Sequence, residues 1–168
     1  MKLANTIDSK SVAERLAGAS PASGTMDHRS SNTAYVIGFA IGNGNLSNVC
    51  VYSNELEAIL GWKALAGSKF EQNIRVPAWV FGKKEYVRNC LRGLFETDGS
   101  VYKDRSYTYA NFTTIIHGLS QDVQIMIDSL GYRSTTQSSV QKTGKRKFVT
   151  RVCRNSLEFI KEISMQKE

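Results

Sequence analysis

The stretch CLRGLFETDGSVY, residues 90–102, decides the fold. An apolar run with helical character, Val87 to Thr97, stops at Asp98-Gly99, and a strand-like alternation follows at once. A second stretch upstream, YVIGFAIGNGN at residues 35–45, has the same shape, nearly continuous apolar residues stopped by Gly42-Asn43-Gly44. Aligned on their endings, Gly38 matches Gly93, Asn43 matches Asp98 and Gly44 matches Gly99 at one constant offset, which makes the two an internal repeat. A helix that is apolar all round must be buried. Small residues recur four apart in both, Gly38 with Gly42 and Gly93 with Thr97, a spacing that lets two helix backbones approach closely. The spacing predicts that the two helices pack on each other and set residues 43 and 98 side by side.

Beyond Gly99 the chain alternates between strand and helix periods. SVY and SYTYANFTT flank a turn-like KDRS, and period-2 alternation puts Tyr107, Tyr109, Asn111 and Thr113 on one face, with Ala110 and Phe112 on the other. LSQDVQIMIDSLGY reads as a helix capped by Ser120, with Val123, Ile127 and Leu130 inward and Gly131 as its stop. RSTTQSSVQ and RKFVTRVC form a second hairpin around KTGK, which places Arg133, Thr135, Gln137, Ser139 and Gln141 together on a side no core would take. NSLEFIKEISMQ closes the series as an amphipathic helix with Asn155 or Ser156 as cap. The pattern predicts helices covering one face of an antiparallel sheet and a polar face left open. Between Gly44 and Val87 there is less room: NVCVYS, a helix NELEAILGWKAL and then RVPAWVF, where Pro77 limits any regular element, so one hairpin is missing. Residues 1–30 form a flexible leader, with GASPASG at 18–24 as a joint, and LAG at 16–18 has no acid-Gly ending.

Composition narrows the chemistry. With 168 residues and 41% hydrophobic content the chain can bury one core or two small lobes, and no apolar run reaches the roughly 18 residues of a membrane span. An intracellular protein is expected. Three cysteines, Cys50, Cys90 and Cys153, are odd in number and far apart, which favours buried reduced thiols over disulfides or a zinc knuckle. His28 and His117 are too few for a histidine-metal centre, so any metal is held by oxygen. A net charge of +7 favours polyanionic partners. Residues 131–154 hold Arg133, Lys142, Lys145, Arg146, Lys147, Arg151 and Arg154 and no acid, a one-sign surface inside a foldable region that is either a solvated face or a nucleic-acid footprint.

The paired motifs YVIGFAIGNGN and CLRGLFETDGSVY resemble those of the LAGLIDADG homing endonucleases. The flanking GSKFEQNIRVPAWVF and NFTTIIHGLSQDVQIMIDSLGY are similar to stretches of single-chain, two-motif members and of intein-borne relatives, and the resemblance covers residues 34–164. It implies an α+β fold of two pseudo-symmetric αββαββα halves, their antiparallel saddle sheets laid along the DNA major groove. Residues 31–86 would be a shortened first half and 87–168 a complete second one. It further implies site-specific binding of double-stranded DNA and phosphodiester hydrolysis with Mg2+ or another divalent ion bound by the last residue of each motif, here Asp98 and Asn43. Asn43 offers an amide oxygen where the family has a carboxylate, which predicts impaired cleavage or nicking. Lys69 in GSKF is a candidate for stabilising transition-state charge. Tyr107, Tyr109, Asn111, Thr113, Arg133, Thr135, Gln137, Ser139 and Gln141 are candidate contacts to base edges and backbone, and Lys142, Lys145, Arg146 and Lys147 to phosphates. Glu96 faces away from Asp98 in an ion pair, and Trp79, Phe81, Phe148 and Phe159 belong to the core. The expected state is a monomer, with a dimer through the motif helices as the alternative. A non-cleaving DNA- or RNA-binding relative, such as an intron maturase, is the competing function, and an intein remnant is disfavoured because neither end of the sequence has splicing residues.

Overall fold

The computed structural model describes residues 29–42, 60–63 and 67–165. Asn43, Gly44, Cys50 and residues 1–28 of the leader, His28 among them, lie outside the described residues. Helix α1, Ser31–Gly42, begins where the Ser30 hydroxyl accepts the Thr33 backbone N–H at 3.1 Å, an N-terminal capping bond. Ala34, Ile37, Ala40 and Ile41 on it are almost completely buried. Pro77 precedes a short 3-10 turn, Ala78–Gly82, and helix α2, Lys84–Asp98, follows. Strand β1, Gly99–Asp104, leaves α2 without a linker, the Gly99 N–H still bonding the Phe95 carbonyl. The remaining elements are β2 (Tyr107–Thr114), α3 (His117–Ser129), β3 (Ser134–Val140), β4 (Arg146–Val152) and α4 (Ser156–Glu162).

The four strands form one antiparallel sheet in the order β1-β2-β4-β3. Helices α2, α3 and α4 cover its inner face, where Ala110, Phe112, Thr150 and Val152 are buried. Phe95 of α2 lies 5.9 Å from Phe112 of β2 and 5.2 Å, edge to face, from Phe159 of α4, so one aromatic cluster joins sheet and two helices. Polar ties fix the perimeter. Asp122 on α3, 3% exposed, takes both the Arg75 guanidinium at 2.6 and 2.7 Å and the Val76 N–H at 2.9 Å, fastening the segment before the 3-10 turn to α3. Glu162 on α4 accepts from Arg88 of α2 at 2.9 Å and from the Tyr132 hydroxyl at 2.8 Å.

Four local expectations are corrected. KDRS is not the turn: Lys103 and Asp104 pair in register with Thr108 and Tyr107, and the reversal is made by Arg105 and Ser106, Arg105 in the left-handed region at φ 54°. Ser120 does not cap α3, which starts three residues earlier, so that Ser120 is buried and its hydroxyl donates back to the His117 carbonyl at 2.7 Å. Asn155 holds the N-cap position of α4 at φ 57° without a side-chain capping bond, and the Ser156 hydroxyl turns back to the Val152 carbonyl. Cys90 is buried as expected of a reduced thiol, but Cys153 is exposed because it lies past the end of β4 on the open face. Gly131, at φ 91°, does stop α3, with Tyr132 N–H reaching the Ile127 carbonyl. Phe148 and Phe159 are buried, and Trp79 and Phe81 pack partly buried against the core. No helix among the described residues is long and apolar enough to cross a membrane.

Candidate nucleic-acid interface

The register assigns the open face. Tyr102 pairs with Tyr109, Ser100 with Asn111, Asn111 with Arg151, Thr113 with Val149, and Arg151, Val149 and Lys147 with Thr135, Gln137 and Ser139. Because side chains alternate strictly along a strand, these residues and Tyr107 share the face away from the helices. Tyr107, Thr135, Gln137 and Ser139 are exposed on it, while Tyr109 and Thr113 are half-buried and Asn111 is 7% exposed. Arg133 and Gln141 continue the β3 alternation at its two ends, Arg133 accepting the Cys153 N–H on its carbonyl. Lys142, Lys145 and Arg146 stand exposed in and beside the β3–β4 turn, where Gly144 takes φ 78°.

Two members of this face escaped the sequence reading. Arg151 donates from Nε to Asn111 Oδ1 at 3.1 Å and from one terminal nitrogen to the Tyr102 hydroxyl at 3.3 Å, and its guanidinium lies 5.3 Å from the Tyr109 ring centre. Tyr102 and Tyr109 stack at 5.2 Å with planes 20° apart. Both were within reach of the sequence: Arg151 alternates with Lys147 along RKFVTRVC, and a two-residue turn at Arg105-Ser106 would have set Tyr102 opposite Tyr109.

At one end of the sheet the motif helices meet. A Cβ on Gly38 would stand 2.0 Å from the Cys90 carbonyl oxygen, and one on Gly93 would stand 2.4 Å from both the Tyr35 oxygen and the Phe39 nitrogen. A Cβ on Gly42 would meet the Thr97 hydroxyl at 1.9 Å. At Gly38 and Gly93 backbone meets backbone, while Gly42 takes the Thr97 side chain. Around them, the Tyr35 hydroxyl donates to Glu96 at 2.7 Å and Arg92 bonds the other Glu96 oxygen at 2.8 Å, so Glu96 is held within the helix pair and turned from Asp98.

Asp98 ends α2, exposed, and with Gly42 lines a cavity of about 550 Å³ that also takes in Trp62, Ser68, Lys69, Thr113, Gln141, Lys145 and Lys147. The Lys69 ammonium donates to the carbonyls of Ala40 and Ile41, the latter at 3.2 Å, and so occupies acceptors that the last turn of α1 leaves unpaired. Burial pushes the Lys69 pKa below its ordinary value, and the nearby Asp98 charge opposes that shift. The Trp62 indole N–H, buried in the same wall, is an unpartnered side-chain donor. Among the described residues no three His, Cys, Asp or Glu side chains cluster as metal ligands.

Residues 85–164 match the LAGLIDADG-like domain family. Those residues make up a LAGLIDADG-like domain. The fold agrees: the crystal structure of the N-terminal LAGLIDADG domain of DUF199/WhiA superposes with a TM-score of 0.53 at 16% identity, over 99% of this chain and 97% of that one. In sequence, the ATP-dependent DNA helicase Hel308 of Thermococcus kodakarensis is 34% identical over 71 residues, 40% of this chain but 6% of the helicase. The LAGLIDADG match begins in the first turn of α2 and takes in the whole sheet, so the face around Arg151 and the Asp98 end of the motif helix both fall inside it.

Proposed function

We propose that this chain binds double-stranded DNA site-specifically through the open face of its sheet. The observation that carries the reading is that face: four twisted strands presenting Tyr, Asn, Gln, Thr, Ser and Arg in register, bordered by the acid-free turn with Lys142, Lys145 and Arg146. Short polar side chains interleaved with Gln and Arg suit base edges in a major groove, and a lysine-rich rim suits phosphates. The roughly 12 Å major groove admits a two-stranded β-ribbon. On this reading residues 31–86 and 87–168 are the two halves of the protein, and both motif helices lie in one chain, which favours a monomer. Selection from a randomised duplex library in the presence of Ca2+ tests it. One enriched consensus is the expected result, and, in competition with a randomised single-stranded RNA pool, preference for the RNA over every duplex would overturn it in favour of an RNA-binding role.

A second reading, metal-dependent hydrolysis of the bound duplex, is favoured by one observation: Asp98 stands at the motif-helix end in a cavity that reaches the cationic turn. The donor set fits a hard ion held loosely. Mg2+ keeps several waters and needs one or two carboxylates besides substrate phosphates, and Asp98 supplies one, with Asn43 the expected amide partner. A bound ion would supply Lewis-acid stabilisation of the scissile phosphate. The part of this chain is then to place the phosphodiester beside Asp98, while Lys69, drawn onto the carbonyls of α1, holds the two helix ends together. Asp98→Asn should remove Mg2+-dependent cleavage of the selected duplex and leave its affinity in Ca2+ within about twofold, since a rim carboxylate contributes little to binding. Cleavage that survives in Asp98→Asn would exclude this site.

A further inference from the structure

The geometry points to Arg151 as a guanine-specifying residue, with Tyr102 and Asn111 positioning it. This rests on the reading of the open face as a duplex-binding surface and adds which residue discriminates, which base it selects and why. Arg151 lies on β4, an interior strand, flanked in register by Asn111 of β2 and Thr135 of β3, far from the lysine rim. It is half-buried, and its stem and guanidinium are fixed on one side by three contacts: Asn111 Oδ1, the Tyr102 hydroxyl and the Tyr109 ring. A free surface arginine loses rotamer entropy when it binds, whereas this one has lost most of it already.

The hydrogen bonds decide which edge remains. Nε–H is taken by Asn111 and one Nη2 hydrogen by Tyr102. Nη1 has no acceptor among the described residues, so together with the remaining Nη2 hydrogen it can present two donors in the guanidinium plane. Such a pair fits two adjacent acceptors in one plane, and in the major groove only guanine presents them, O6 beside N7. Adenine sets a donor beside its acceptor and would leave one Arg151 hydrogen facing an amino group. The same contacts reassign Asn111. At 7% exposure, with its carbonyl oxygen engaged by Arg151, it cannot offer the two-point contact with which an Asn reads adenine. Asn111 and Tyr102 act through Arg151.

The test uses the full chain and the randomised duplex library in Ca2+. The wild-type consensus should contain one guanine whose replacement by adenine weakens binding about tenfold to a hundredfold. Arg151→Ala should erase the preference at that position alone, and Arg151→Gln should move it from guanine to adenine; retained preferences elsewhere in the consensus show that both variants are folded. Substituting 7-deazaguanine, which lacks the N7 acceptor, should weaken wild-type binding and leave Arg151→Ala unaffected. Tyr102→Phe should soften the guanine preference without touching other positions, which a merely structural role would not do. Arg151→Ala binding every sequence equally more weakly, with a salt slope reduced by about one, would make it a phosphate contact and overturn the assignment. A consensus unchanged in Arg151→Ala would overturn it alone. Failure of the wild-type chain to enrich any sequence would instead remove the duplex-reading surface itself, and the assignment with it.

Discussion

Gly93→Ala tests the close helix pair by the sign of its effect. On a solvent-facing or loosely packed helix, Ala in place of Gly stabilises by about 0.8–1 kcal/mol through backbone entropy. In the structure the new Cβ would lie 2.4 Å from the Tyr35 carbonyl oxygen, 2.4 Å from the Phe39 nitrogen and 2.9 Å from the Gly38 carbonyl carbon. All three are backbone atoms of α1, so no flexible side chain can swing away and the helices must separate by about an ångström. Overpacking of this kind costs about 1–3 kcal/mol and sometimes more. Subtracting the propensity gain leaves a net destabilisation of about 0–2 kcal/mol, towards the upper end here because backbone atoms must move. Gly82→Ala is the control, because a Cβ there meets nothing within 4 Å. Urea unfolding followed by far-UV circular dichroism gives both midpoints. A lower midpoint for Gly93→Ala with Gly82→Ala near wild type is expected. A Gly93→Ala protein more stable than wild type would show that α1 and α2 do not meet backbone to backbone in solution.

Three further outcomes follow from other contacts. Asp122→Ala leaves the buried Val76 N–H without its acceptor, and Arg75→Met leaves the buried Asp122 carboxylate without its cation, so each should cost about 1–3 kcal/mol in urea unfolding; a midpoint at the wild-type value in both variants would show that this tie does not hold the segment to α3. The Tyr132 hydroxyl and then the Arg88 guanidinium hold the Glu162 carboxyl below its ordinary pKa, so its stabilisation is present above about pH 4.5 and is lost as pH falls through the lower folded value. Glu162→Gln should therefore be less stable than wild type at neutral pH and converge with it as the pH falls through the lowered folded value; parallel pH curves would disprove the linkage. Burial, followed by the Glu162 bond, pushes Tyr132 up to about 12, and its share is complete below about pH 10 and is lost as pH rises through about 12. Replacing Lys145, Arg146 and Lys147 together by Ala should shrink the salt slope of duplex binding by about 0.9 per lost phosphate contact, and an unchanged slope would move those contacts elsewhere.

How far the sequence disclosed this arrangement depends on the range of each interaction. The buried helices were legible because Tyr35–Ile41 carries apolar residues on every side and Val87–Phe95 an apolar stripe of Val87, Cys90, Leu91, Leu94 and Phe95 broken by Arg88, Asn89 and Arg92, and the sheet faces because Ala110 and Phe112 alternate with Tyr109 and Asn111. A one-residue slip would bury the tyrosines, so the register had a single solution. Interactions without a period were not legible. The bond from Arg75 to Asp122 spans 47 residues, and a buried Asp within an otherwise amphipathic helix gives no sign of where its partner lies. Ser120 was misread as a cap because the signal for a cap is local, whereas the true start of α3 is set by the chain leaving β2 after Thr114, whose hydroxyl accepts the Ile116 N–H. Lys69 had a functional reading from its neighbours in GSKF, but its seat on the carbonyls of α1 depends on a contact 29 residues away. Arg151 was counted as charge and not placed, since only the completed β2–β4 pairing puts it beside Asn111.

That pairing has a kinetic consequence. Each hairpin closes through a short turn, but the central β2–β4 ladder joins residues 40 apart, as Asn111 and Arg151 are, with α3 folded between them. Contacts of such separation are expected late in assembly, after local ones have repaid part of the loop-closure entropy. The cluster of Arg151, Asn111 and Tyr102 draws its members from β4, β2 and β1, so neither hairpin contains it alone. An intermediate with both hairpins formed but undocked would keep its lysines and its affinity for any polyanion while lacking the fixed guanidinium. A nascent chain would thus pass through a sticky, undiscriminating stage, and selectivity would emerge in the last cooperative step of folding.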